Sequence, residues 1–228
     1  MRKAVEFAIN KVAINQVVQD GLGEIAWETF SKNSPAYDPS LANLYSYNPS
    51  MAHQLLVQSG LPLPIKITVA IPGGNIASMA DQGAIVQQNL DAVGFNVSLK
   101  PIPGNAIASE YYEGGVGNAF AAQRPGEPYP PQQIADQWAT GQFVAQYSKG
   151  ANAQITSIIN NALTAGTAAE VFGLTKQALA IVMNQALDDP IAFSVQVSGY
   201  NTSHVGGQVY AQNGVCNAPI MNGIMVKS

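Results

Sequence analysis

The chain has 228 residues, enough for one large domain or two small ones and for a sizeable core. Only 11% of it is charged and 47% is hydrophobic, so Asn, Gln, Ser and Thr supply most of the polarity. The net charge is -4 and no lysine or arginine cluster occurs, which excludes an electrostatic groove for nucleic acid and attraction to an anionic membrane surface.

Residues 2–19, RKAVEFAINKVAINQVVQ, place Ala4, Phe7, Ala8, Val12, Ile14 and Val18 on one broad face, and the spacing predicts a single helix stopped at Gly21-Leu22-Gly23. The stretch lacks an uninterrupted apolar centre and a cleavage site, so it does not read as a signal peptide. No run approaches the ~18–20 apolar residues of a membrane span. Residues 24–47 are irregular and aromatic. A second helix follows, with Asn48 to cap it, Pro49 at its first position and Gly60 to end it; Met51, Leu55 and Leu56 are expected to face inward.

LPIKITVAI (63–71) alternates as a half-buried strand, and PGGN turns the chain into a helix over 76–93 that Gly94 stops. FNVSLKPI (95–102) is a strand with Phe95, Val97 and Leu99 on one face. A short helix at 105–113 leads to a strand in GGVGNAFAA, then to RPGEPYPPQ (124–132) and one or two helical turns in QQIADQWATG. Helices at 152–165 and 168–187 flank Gly166. DPIAFSVQV (189–197) is strand-like, and a last strand falls in IMNGIMVKS. Helices and strands in this order make an α/β domain with a small mixed sheet flanked by helices.

Titratable groups that could do chemistry are sparse. His53 reads as a surface or edge residue and His204 as a loop residue, and with the single Cys216 they match no zinc spacing. There is no GxSxG turn, and PGGN lacks both GxGxxG and GK[ST], so it is a plain turn. Asp188-Asp189-Pro190 reads as an Asx turn before an X-Pro boundary rather than a carboxylate pair. No catalytic residue, metal ligand or cofactor site is assigned.

The order of these segments, with their local wording, resembles the family-5 extracellular solute-binding proteins of ABC importers, the oligopeptide- and dipeptide-binding type. RKAVEFAINKVAINQVVQDGLG, YSYNPSMAHQLLVQSGLP, IVQQNLDAVGFNVSL and LTKQALAIVMNQALDDPIAFSV carry the likeness over almost the whole chain. The resemblance implies the second lobe of a two-lobed, type II periplasmic-binding-protein clam-shell, with the first lobe largely absent. Residues 1–198 would form that lobe, and 199–228 would cross back toward the missing one. The implied function is capture of peptides or similar polar solutes by hinge closure, without catalysis, and delivery to an ABC permease from the periplasm or as a cell-surface lipoprotein.

Within the family, a loop after a strand lines the cleft, and an aspartate in it holds the peptide amine. RPGEPYPPQ occupies that place. Counting back from Pro131 puts Glu127 at the aspartate and Arg124 at a tryptophan of the family pattern. Arg124, Gly126, Glu127 and Tyr129 are therefore the expected ligand-binding residues. Glu127 would pair with an ammonium; Arg124 would neutralise Glu127 or take a solute carboxylate. Glu for Asp, the lack of Trp and the added Arg leave the solute open, with nickel, haem and oligosaccharide as competing cargoes. A small α/β enzyme, marked by a buried, pKa-shifted cluster around Asp188, Asp189 or His204, and a degenerate interaction fragment are the alternatives from other classes.

Overall fold

The computed structural model describes residues 1–74, 77–124, 126, 129–148, 150–194, 201–207, 210–211, 219–220 and 224–226. Cys216, Asn75 of the PGGN turn and the end of the strand expected at 189–197 lie outside them.

The expected first helix is two, α1 (Arg2–Ala8) and α2 (Lys11–Val18). Asn10 makes the break. Its side chain accepts from the Ala13 N–H, capping α2, and its own N–H donates to Asn89 Oδ1 at 2.8 Å. The changed direction keeps Ala4, Ala8 and Ile14 buried but leaves Val12 61% exposed, against the single-face expectation. Helix α3 (Pro49–Gln58) forms as expected: Asn48 accepts from the Met51 N–H, Pro49 opens the first turn and Gly60 closes the helix at φ 72°. Leu56 is fully buried, but Met51 is exposed, because it lies on the far side of α3 from the buried Ala52 and Leu56.

Strands β1 (Glu24–Ile25), β2 (Ile65–Gly73), β3 (Phe95–Pro103), β4 (Ala119–Phe120) and β5 (Ala192–Phe193) follow in chain order, with α4 (Ala77–Val93) between β2 and β3. The main sheet is parallel in the order β3-β2-β4, with Ile65 opposite Phe95 and Ala70 opposite Phe120. As the central strand, β2 is covered on both faces, so Val69, Ala70 and Ile71 are all buried where the sequence read as alternating. The entry to β4 is tight. Asn118 N–H donates to Thr68 O at 2.7 Å, and a Cβ on Gly117 (φ 101°) would stand 3.3 Å from that same oxygen.

The remaining helices are α5 (Pro130–Trp138), α6 (Phe143–Ser148), α7 (Ala153–Thr164) and α8 (Ala168–Asn184). Helix α5 starts inside the proline stretch, since Pro130 and Pro131 take its first two positions, where a missing N–H costs nothing. Thr167 and Glu170 form a reciprocal capping box at the start of α8. Beyond β5, β6 (Val205–Gly207) pairs antiparallel with a strand at Ile224–Val226, and Tyr210–Ala211 pairs with Pro219–Ile220.

Two apolar cores result. One joins α1, α3 and α4 to the sheet through Leu56, Val69, Leu90, Phe95 and Val97; the other packs Phe30 and Leu41 against Ile134, Trp138, Ile159 and Leu179 of α5, α7 and α8. Each fully buried Leu or Ile contributes about 1.5–3 kcal/mol. Strands β1 and β5 pair antiparallel, Glu24 opposite Phe193, while the Tyr45 hydroxyl donates to Met183 O and its ring meets Phe7 edge-on at 5.3 Å. These contacts tie the N-terminal part of the chain to α8 and the segment after it. Among the described residues no helix is long and apolar enough to cross a membrane.

Candidate functional site

The strand order places one site by topology. From β2 the chain moves outward to β3, then passes back across β2 to reach β4 on its other side. In open α/β sheets, ligands collect outside the C-terminal strand ends where the connections diverge in this way. Here those ends are Gly73-Gly74 after β2 and Ala121–Arg124 after β4. Gly73, Gly74, Pro101, Pro103 and Gly104 line an open depression at the β2 and β3 ends.

Arg124 leaves β4 into this region and is held from two sides. Its Nη2 donates to Asp188 Oδ2 at 3.2 Å, and its guanidinium carbon lies 5.9 Å from the Trp138 ring centre, within cation–π range. Beside it, Gln123 Nε2 donates to Ser194 Oγ at 2.9 Å, and Ala121 N–H continues the β2 pairing by donating to Ala70 O. The loop after β4 is thus anchored on the sheet and on the 188–194 segment. Among the described residues, a Cβ on Gly126 would meet only Gln133 Oε1, at 3.8 Å. Tyr129, 42% exposed, precedes the prolines of α5, and its carbonyl accepts from the Gln132 and Gln133 N–H groups. Glu127, with Pro125 and Pro128, lies outside the described residues. Arg124, Gly126 and Tyr129 share one stretch by sequence alone, and the fold adds one contact to it. It gives Arg124 a partner, Asp188, that the sequence did not indicate.

The Asp188 and Asp189 carboxylates, read in the sequence as part of a turn, each meet a cation. Asp188 holds Arg124 and accepts from the Thr29 hydroxyl at 3.4 Å. Asp189 Oδ1 stands 2.8 Å from Lys11 Nζ, which is also 3.7 Å from Glu6 Oε2. The Glu6 and Lys11 side chains are 2% and 4% exposed. Burial, then the Asp189 charge, push the Glu6 carboxyl up to about 10 against the pull of Lys11, so Glu6 carries its proton at neutral pH. Burial lowers Lys11, but the Asp189 and Glu6 charges outweigh it and hold the ammonium above its ordinary value. This is the buried, shifted cluster that marked the enzyme alternative. Its groups are sealed against one another between α1, α2 and the segment before β5, where they join parts of the fold.

Glu28, fully buried, staples the 28–38 loop by accepting from Asp38 N–H at 2.6 Å and Phe30 N–H at 3.2 Å; burial raises its carboxyl to about 7. His53 is exposed, with Nδ1 2.9 Å from Val93 O, and His204 lies exposed in the turn after Asn201. No group of three His, Cys, Asp or Glu residues that could hold a metal ion occurs among the described residues.

Comparison with known proteins bears on the family and the fold. The family model described as bacterial extracellular solute-binding proteins, family 5 middle, matches residues 1–146. Among solved structures, HbpA2 from Haemophilus parasuis superposes with a TM-score of 0.80 at 19% identity, over 100% of this chain and 45% of that one. A dipeptide binding protein from Pseudoalteromonas sp. SM9913, in complex with Met-Leu, gives 0.79 at 19% identity over 99% and 45%. NikA from Brucella suis, in complex with Fe(III)-EDTA, gives 0.70 at 23% identity over 85% and 41%. The chain thus spans less than half the length of these structures. A search of curated proteins finds no match.

Proposed function

The chain belongs to the bacterial extracellular solute-binding proteins of family 5, and from that premise we propose that it supplies the second lobe of a solute receptor for an ABC importer. Residues 1–198 form the lobe and 199–228 cross back toward a first lobe. The receptor works outside the cytoplasm, in the periplasm or as a cell-surface lipoprotein. It takes up peptides or similarly sized polar solutes, closes by a hinge and passes the cargo to a membrane permease, without catalysis. Contacts from both lobes favour the closed state, which is what makes closure depend on the solute.

The observation that carries this reading is the placement of Arg124, Gly126 and Tyr129 just beyond β4, beside the divergence of the β2 and β4 connections. Fixing Arg124 through Asp188 reduces the ordering cost of using its guanidinium for recognition. Glu127, on the same loop, is the proposed partner of a solute ammonium.

A thermal melt of the chain with and without a mixed pool of di- to pentapeptides tests the reading. At a hundred times Kd, binding adds about 2.7 kcal/mol and raises Tm by a few degrees. A shift that disappears in Glu127→Ala supports the loop as the site. A cooperative melt that no peptide moves goes against a peptide cargo.

A further inference from the structure

Outside both apolar cores, five aromatic rings form a continuous run at the mouth of the loop after β4. Tyr111 and Tyr112 belong to a π-helical segment, Ile107–Glu113, a rare conformation that recurs at functional sites. Tyr111 stacks on Phe120 of β4, with ring centres 4.8 Å apart and planes 27° apart, and meets Tyr112 edge-on at 5.1 Å. Tyr112 meets Phe143 at 5.3 Å, and Phe143 meets Tyr147 at 5.0 Å, both edge-on. Rings of this size normally go into a core. Here Tyr111, Tyr112, Phe120 and Tyr147 are only half-buried, and Phe143 is 47% exposed.

The run reaches the candidate site at one end: Phe120 lies four residues before Arg124, while Phe143 opens the helix after α5. The Arg124 charge reaches the Tyr112 hydroxyl, opposing the burial that raises that phenol.

Resting on the solute-binding reading, we propose that Tyr112 and Phe143, backed by Tyr111, Phe120 and Tyr147, form a subsite for an aromatic side chain of the bound solute, beside Arg124. The cargo this lobe favours is then a short peptide-like molecule carrying an aromatic ring.

The test compares alanyl-phenylalanine with alanyl-alanine by calorimetric titration on the chain and on Phe143→Ala and Phe143→Leu. A parallel saturation-transfer experiment uses p-cresol as a bare ring. One further edge-on pair corresponds to about a tenfold preference for the phenylalanyl peptide. That preference should fall to less than about threefold in both variants, with alanyl-alanine unchanged. Exposed Phe143 can be replaced without opening either core, and retained melting temperatures check this. Peptide binding without ring preference, or a preference that survives Phe143→Ala, overturns the subsite while sparing the receptor reading. A p-cresol signal lost in Phe143→Ala, with no peptide bound, upholds the subsite and removes the peptide cargo. Failure of both probes overturns both.

Discussion

Lys11 and Asp189, far apart in the chain, meet with Nζ and Oδ1 2.8 Å apart, and the Lys11 side chain is 4% exposed. Water cannot solvate this ammonium, so its charge must be met inside the protein. Removing one partner of such a pair costs about 3–5 kcal/mol, because the other charge stays buried alone. Lys11→Met should therefore lose about 3 kcal/mol in urea denaturation, and Lys11→Met with Asp189→Asn should recover a large part of it. A Lys11→Met loss below about 1 kcal/mol would show that the pair does not join the fold.

Glu6, beside that pair, carries a proton at neutral pH because burial pushes it to about 10. Glu6→Gln replaces one neutral group by another of similar shape and should change stability at pH 7 by less than about 1 kcal/mol. Equilibrium unfolding decides: a loss like that of Lys11→Met would mean Glu6 is ionised.

The pH dependence follows from two raised carboxyls. Glu28 rises from 4.5 to about 7 and Glu6 from 4.5 to about 10. Groups raised on folding bind protons more tightly in the native state, so their contribution is full below 4.5 and is lost as pH rises toward the folded values. Tm should fall from pH 5 to pH 7 through both groups, and from pH 7 to pH 9 through Glu6. Lys11 has an ordinary value of 10.5 and is raised in the fold, so it stays charged across this range. Melting curves of Glu28→Gln should flatten the lower segment alone; a Tm that climbs from pH 5 to pH 7 contradicts the assignment.

Two caps bear on local stability. Asn48 accepts from Met51 N–H at 3.0 Å, and Thr167 exchanges bonds with Glu170 at the start of α8. Asn48→Ala and Thr167→Ala should each cost about 1 kcal/mol. Denaturant midpoints should shift down with unchanged slope, and an unmoved midpoint would show the cap to be idle.

The Asn48 cap was legible in the sequence because a cap is local chemistry: Asn48-Pro49 with Gly60 marks both ends of α3 without reference to any distant residue. The α/β order and the two long strands were legible for the same reason, through their periodicity. The break at Asn10 was not, since it depends on Asn89, a partner 79 residues away. Arg124 could be singled out from its position in the loop, but Asp188, its partner at a separation of 64 residues, could not. The start of α5 was expected after the prolines, but Pro130 and Pro131 sit at the two positions that tolerate proline. Sequence alone gives Trp27, Phe30, Tyr111 and Tyr112 the same character, aromatic residues outside any periodic apolar face. Only packing separates Phe30, buried in the second core, from the open pair in the aromatic run.

The central claim is that the loop after β4 binds solute, and calorimetric titration of the peptide pool into the chain and into Arg124→Ala tests it most directly. The Arg124–Asp188 pair is partly exposed, so its loss should cost only about 0.5 kcal/mol of stability and leave the fold intact. Saturable binding is expected in the parent chain, with at least about tenfold weaker binding in Arg124→Ala at an unchanged stoichiometry. Equal affinity in the two proteins, or no saturable heat from any peptide in the parent chain, would contradict it.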